Sequence, residues 1–266
     1  MSTFITSLSL ILIGFAMIYP LFFIKIYKSN QNNHGTRRYL QLNYLLHVIA
    51  GSISVILFWI YRINYPLQLS GIVYLIVIIT VVLYYWRSPI PDLNLFSASV
   101  VFGIMVFQRS IREIVQLTPL WPGVLVGFLS TGIIAVATVL FVTALWKKFV
   151  KNSNASIVPS MLNIIIILIS LRALWDLVVL FNVKIDDQNG ILMSVYQFLL
   201  QNDIIYFNLI IFFGLIIPLI ISIIWKKGVD VLSKNQILLL SSGLLIIVWS
   251  GEFFFKYFLL QYGIVL

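Results

Sequence analysis

Three pairs of ionisable residues stand at the four-residue spacing that returns side chains to one helical face: Arg109 with Glu113, Arg172 with Asp176, and Glu252 with Lys256. Each joins an acid to a base inside an otherwise apolar run. In hydrocarbon an ionisable side chain costs on the order of 2.5–3.5 kcal/mol on insertion scales, so such groups turn inward, pair, and mark functional sites. The chemistry open to these residues is proton exchange at the carboxylates and recognition of an anion or a carbonyl oxygen at the guanidinium groups. Around Arg109 the pattern widens into a stripe of Gln108, Arg109, Arg112, Glu113 and Gln116 at helical spacing. Arg112 has no partner at helical spacing on its own helix, since Glu113 is matched to Arg109. It requires an anion, a carbonyl-bearing ligand, or a carboxylate from a neighbouring helix such as Asp176 or Glu252.

The elements that carry these residues are membrane helices. The chain has 266 residues, of which 61% are hydrophobic and 9% charged, and its mean hydropathy is +1.07. No soluble domain of that length hides so much apolar surface in one core. Hydropathy, with Lys and Arg as boundary markers, predicts eight spans near residues 4–27, 40–61, 67–86, 95–117, 122–146, 158–181, 204–225 and 236–261. The alternating strands of a closed barrel are missing, so the expected fold is an all-α, polytopic membrane bundle forming one domain over residues 1–266. The first apolar segment has no preceding positive charge and no small-residue cleavage site after it, and is expected to be retained as a span.

Charge sets the expected orientation. Eleven basic residues, Lys25, Lys28, Arg37, Arg38, Arg87, Lys147, Lys148, Lys151, Lys226, Lys227 and Lys234, fall at loops on one side, against Arg62 and Lys184 on the other. The positive-inside rule then puts both termini on the extracytoplasmic face of a cell (inner or plasma) membrane. Orientation thereby explains the net charge of +9, and nothing in the pattern points to nucleic acid. Trp59, Tyr61, Tyr65, the run Tyr84 to Trp86, Trp121, Trp146 and Trp225 fall near span ends, as an interfacial aromatic belt would. Between spans six and seven, an Asn189-Gly190 turn signal precedes the apolar-leaning stretch 191–200, which reads as a short helix on the outer surface.

In this orientation all three charged pairs fall in the outer half of the membrane, with Arg62 at the same level, and are expected to converge on one outward-facing polar pocket. The competing reading is that each pair satisfies itself and serves as interhelical glue or snorkels to the interface. Other candidates carry less chemistry. His47 stands alone in span two, where hydrogen bonding to a neighbouring helix is the ordinary role and ligation the rarer one. Gly127 and the small residues Ser130 to Gly132 suit close helix approach. The chain has no Cys, which excludes disulfides, thiolate metal sites and iron–sulfur clusters built from it alone, and no metal is expected on it. No phosphate loop or dinucleotide-binding turn is present.

Several short motifs resemble one family. Phe213-Gly214-Leu215-Ile216-Ile217-Pro218 in span seven is similar to the Gly-to-Pro motif of the NrfD-type membrane subunits of polysulfide reductase and its relatives. Gly251-Glu252-Phe253-Phe254-Phe255-Lys256 resembles the Gly-Glu then Arg-aromatic ending of dimethyl sulfoxide reductase anchors, with Lys256 at the basic position, and Leu12-Ile13-Gly14 fits the family's first span. Ile60-Tyr61-Arg62-Ile63-Asn64-Tyr65-Pro66 lines up with a His-Leu-x-x-Pro stretch of many members, Arg62 replacing the His.

The resemblance implies a quinone-interacting anchor of a respiratory oxidoreductase that exchanges electrons with an iron–sulfur subunit docked on the outer face, which serves a molybdopterin or other catalytic subunit. Tyr61, Arg62, Arg109, Arg112 and Arg172 are then the quinone-binding candidates, and Glu113 and Asp176 the proton-exchanging ones. Arg62 stays charged and cannot itself exchange a proton in the His position. Two readings of other classes stand beside this one: a small-anion transporter using Arg109 and Arg112, and a structural membrane subunit without a redox site.

Overall fold

A computed structural model of the chain describes residues 2–30, 36–61, 63–86, 93–115, 121–150, 157–186, 192–229 and 231–266. Eight of its helices are long and apolar enough to cross a membrane: Thr3–Lys28, Thr36–Ile60, Tyr65–Trp86, Leu95–Ile114, Trp121–Phe149, Ile157–Asn182, Ile204–Gly228 and Lys234–Tyr262. These match the spans expected from hydropathy, and the protein is a multi-pass helical membrane bundle.

The spans pack as two four-helix rings. Span one lies against spans two and four, span two against three, and three against four; span five lies against six and eight, six against seven, and seven against eight. Span one also packs on five and eight and joins the two rings. Burial follows this plan, since 78% of the most apolar window of span one is buried and only 22% of that of span seven. The small side chains of span five serve this central position. A Cβ on Gly127 would strike the Phe107 ring of span four, so the glycine is what lets that ring in. Residues Ser130 to Leu140 of span five are buried without interruption.

Short connections make consecutive spans antiparallel and sort the loops onto two ends. One end, the basic end, carries Lys28, Arg37, Arg38, Lys147, Lys148, Lys226, Lys227 and Lys234 at or near its helix termini. The opposite end carries the one departure from an all-helical fold among the described residues, an antiparallel hairpin of Lys184–Asp186 with Leu192–Ser194. A helix follows over Val195–Asn202, opened by a capping box in which Ser194 and Gln197 satisfy each other's backbone N–H groups. That is the short helix anticipated before span seven, and it is separated from span seven at Asp203. The Asn189-Gly190 turn signal lies outside the described residues, as do His34, Arg62, Arg87, Gln116 and Lys151.

The aromatic belt is only partly as expected. Trp59, Tyr61, Tyr65, Tyr84 and Trp121 are exposed, whereas Trp225 and Tyr85 are buried inside the bundle. Proximity to a span end fixes depth but not the helix face, which is why sequence misplaced these two.

Among the described residues two spans contain a π-helical turn, Ile111–Val115 in span four and Phe212–Ile216 in span seven. In span seven the cause is Pro218, which lacks an N–H and whose ring clashes with the carbonyl four residues back, at Gly214. The widened turn meets span eight at its tightest crossing: a Cβ on Gly251 would lie 2.6 Å from both the Gly214 Cα and the Phe213 carbonyl oxygen. Backbone, not flexible side chain, opposes it. Gly251→Val should therefore lower stability in detergent by about 1–3 kcal/mol through overpacking. Gly243→Ala, which meets nothing within 4 Å, should be neutral or stabilising by up to about 1 kcal/mol through helix propensity. Reversible unfolding of both variants against the parent checks the pair.

Candidate functional site

Arg172 on span six is fully buried, and its guanidinium is engaged on every side. Its Nε donates to Asp176 Oδ1 at 3.1 Å, one turn along the same helix. Nη1 donates to the Val126 carbonyl at 3.2 Å and to Ser130 Oγ, both on span five. Nη2 donates to the Leu266 main-chain oxygen. The Phe255 ring of span eight covers the remaining face, its centroid 4.1 Å from Cζ.

The last described residues are folded back to reach this group. Gly263 closes span eight in a left-handed conformation at φ 68°, which glycine adopts without steric cost. The chain then runs along the hairpin end, where Trp175 Nε1 donates to the Val265 carbonyl at 3.1 Å beside the Arg172 contact to Leu266.

A second pair lies close by. Glu252 and Lys256 of span eight are both buried, with Lys256 Nζ 3.9 Å from Glu252 Oε2. Their charges act directly on Asp176 and that of Arg172 on Lys256, so two of the three pairs form one cluster of two cations and two anions. Within it Asp176 Oδ2 and Glu252 Oε2 are buried with no hydrogen-bond partner among the described residues. For a buried carboxylate oxygen that is an unusual state, one that wants a donor.

Asp176 opens onto a cavity of about 240 Å³ between spans six, seven and eight. Phe207, Phe255, Leu180 and Leu215 are among its apolar walls, and among the described residues Asp176 is the single charged side chain lining it. Leu177 and Ile216 also line it and are themselves exposed on the outside of the bundle. On a membrane protein that flank is lipid-facing, so the cavity opens sideways toward the bilayer.

The third pair does not join this cluster. Arg109 Nε donates to Glu113 Oε1 at 3.2 Å, and Asn64, just beyond span two, donates to Glu113 Oε2. These residues belong to the first helical ring, where span four packs on spans one and three, while Arg172 and Asp176 belong to the second. The expected convergence of all three pairs on one pocket is therefore corrected to two groups, because spans one and five stand between span four and span six. Arg112 is exposed and makes no ion pair with a described residue. Tyr61 is exposed at the end of span two, and Arg62 lies outside the described residues.

Sequence reasoning missed a polar ladder nearer the basic end. Tyr19 donates to Asn43 Oδ1 at 2.6 Å, Asn43 Nδ2 donates to the Tyr39 carbonyl at 2.7 Å, and Tyr39 meets Thr143 at 2.6 Å. His47 lies buried one turn beyond Asn43, its ring 5.9 Å from that of Phe23. The available signal was Asn43 and His47 four residues apart, the helical spacing already used for the charged pairs. Among the described residues no group of three or more His, Asp or Glu is placed to hold a metal ion. Comparison with protein-family models, curated proteins and solved structures returned no match.

The Arg172 contacts make a thermodynamic prediction. Removing one member of a buried ion pair leaves the other uncompensated, which costs about 3–5 kcal/mol, whereas replacing both by apolar residues of similar volume is often neutral. Arg172→Met should be strongly destabilising, and adding Asp176→Leu should restore a large part of the loss. Unfolding free energies of the two singles and the double check this as a coupling energy; additive effects would mean that the two side chains do not act as a unit.

Proposed function

We propose that this chain is the quinone-binding membrane subunit of a respiratory oxidoreductase, and that the quinone site is the lateral cavity at Asp176. The observation that carries the reading is a buried carboxylate, with one oxygen unpartnered among the described residues, on the wall of an apolar cavity that opens toward lipid. A volume of about 240 Å³ is below the ~300–1,000 Å³ of pockets that swallow a whole drug-sized ligand. It suits a ring-sized head whose isoprenoid tail leaves past Leu177 and Ile216 into the bilayer.

The residues fit such a group. Phe207 and Phe255 supply ring faces and edges for an aromatic head, and Asp176 Oδ2 accepts a hydrogen bond from a ring hydroxyl. Arg172 holds Oδ1 and so fixes the carboxylate plane, which leaves Oδ2 as the atom that takes or holds a proton. Glu252 and Lys256 stand behind it as further proton-accepting and charge-balancing groups. A bound quinone would supply two-electron, two-proton chemistry within hydrocarbon, which the side chains of this Cys-free chain lack.

The wider role rests on the motif resemblance and the basic loops. Gly214, Pro218, Gly251, Glu252 and Lys256, which carry the likeness to polysulfide reductase and dimethyl sulfoxide reductase anchors, all lie in the two spans that wall the cavity or its charge cluster. The positive-inside rule puts the basic end in the cytoplasm, and the hairpin end with both termini on the extracytoplasmic face of a cell membrane. An iron–sulfur subunit with its catalytic, molybdopterin-type partner would dock on that face. Arg109, Arg112, Glu113 and Tyr61 are not part of the proposed quinone site.

Binding of a short-tailed quinol to the purified chain in lipid nanodiscs tests the site, with quenching of tryptophan fluorescence as the readout. Asp176→Asn keeps the volume and a hydrogen bond to Arg172 but loses the charge. It should weaken binding about tenfold or more, as expected for a hydrogen bond to a charged group. No binding by the parent chain, or equal binding by the variant, would reject the site.

A further inference from the structure

A second cavity, of about 580 Å³, lies on the outside of the first helical ring between spans three and four. It is lined by Tyr65, Leu69, Val73, Phe102, Met105 and Arg109, among others. Leu69, Val73, Phe102 and Met105 are all exposed, so this is an open groove on the lipid-facing flank. It is elongated: Tyr65 to Val73 on one wall and Arg109 to Phe102 on the other each cover about two helical turns, roughly 12 Å at 1.5 Å per residue. Such a shape takes a flexible chain lying along the helices better than a ring.

The end of the groove nearest the hairpin end is cationic. Arg109 is on the lining with its side chain 43% exposed, and Arg112 stands three residues further along the same helix. Glu113 offsets one of these guanidinium groups, and its second oxygen is taken by Asn64. Two cations and one anion leave one positive charge, which has no counter-ion among the described residues. The Tyr65 hydroxyl, on a residue 68% exposed, is a further donor at the same level.

We propose that this groove is a binding site for an anionic phospholipid, with one acyl chain along Leu69, Val73, Phe102 and Met105 and the phosphodiester at Arg109 and Arg112. The charges match, since a phosphodiester carries a single negative charge and the trio a single positive one. The positions match as well: a guanidinium near the end of a span reaches the headgroup layer while its stem stays in hydrocarbon. The groove separates this occupant from free phosphate, which would use the guanidinium groups and leave the apolar walls in contact with nothing specific. This site is independent of the quinone reading, since it shares no lining residue with the Asp176 cavity.

Native mass spectrometry of the intact chain, titrated with phosphatidylglycerol and phosphatidylcholine of identical acyl chains, tests it. The parent chain should favour phosphatidylglycerol about fivefold, the factor expected for one uncompensated cation at a membrane surface. Arg112→Gln, at an exposed position, should abolish that preference. Val73→Trp, which fills the groove, should weaken both lipids alike. Equal affinity of the parent for the two lipids, a preference that survives Arg112→Gln, or displacement of the lipid by equimolar glycerol phosphate would each overturn the proposal.

Discussion

Arg172 is a guanidinium without access to water, and such a group must find acceptors for its fixed fork of donors or leave several kcal/mol of desolvation uncompensated. It finds them on three elements besides its own helix: the Val126 carbonyl and Ser130 hydroxyl of span five, the Leu266 main chain, and the Phe255 face of span eight. One side chain thus fixes the spacing of spans five, six and eight at the level where Asp176 meets the cavity. The glycines at 214 and 251 belong to the same arrangement, because the crossing they permit sets span eight, and with it Phe255, against the π-helical turn of span seven.

The consequence is a division of labour within one carboxylate. Asp176 Oδ1 is committed to Arg172, while Oδ2 has no partner among the described residues and the residue stands on the wall of an apolar cavity. A carboxylate held by one oxygen and unpartnered at the other is the feature on which the proposed proton exchange with a lipid-soluble ring rests. Lys256 and Glu252, loosely paired at 3.9 Å, keep the cluster neutral without occupying that oxygen.

Much of the fold was legible in the sequence and less of the site. The eight spans follow from hydropathy, since lipid admits few other backbone arrangements. The pairs Arg109–Glu113, Arg172–Asp176 and Glu252–Lys256 form as their spacing requires, because four residues is a property of the helix alone. Which pairs meet is a property of packing, and nothing local in span four says that it lies in a different ring from span six. Equal depth in the membrane is not nearness, and Arg109 and Arg112 lie apart from Asp176 although they stand toward the same end of the bundle. The tucked residues 263–266 were missed for a similar reason. Gly263 is a visible stop signal, but the partners of the residues after it, Trp175 and Arg172, stand about ninety positions earlier.

The central claim is that a lipid-soluble ring enters the second helical ring sideways and reaches Asp176. A photoreactive quinol analogue, bound to the chain in nanodiscs, irradiated and mapped by peptide mass spectrometry, tests it most directly. The account predicts adducts concentrated on the cavity walls, at Asp176, Leu177 and Leu180 of span six and at Phe207, Leu215 and Ile216 of span seven, suppressed by excess unlabelled quinol. Adducts confined to the groove between spans three and four, or spread over the lipid-facing surface without competition, would contradict it.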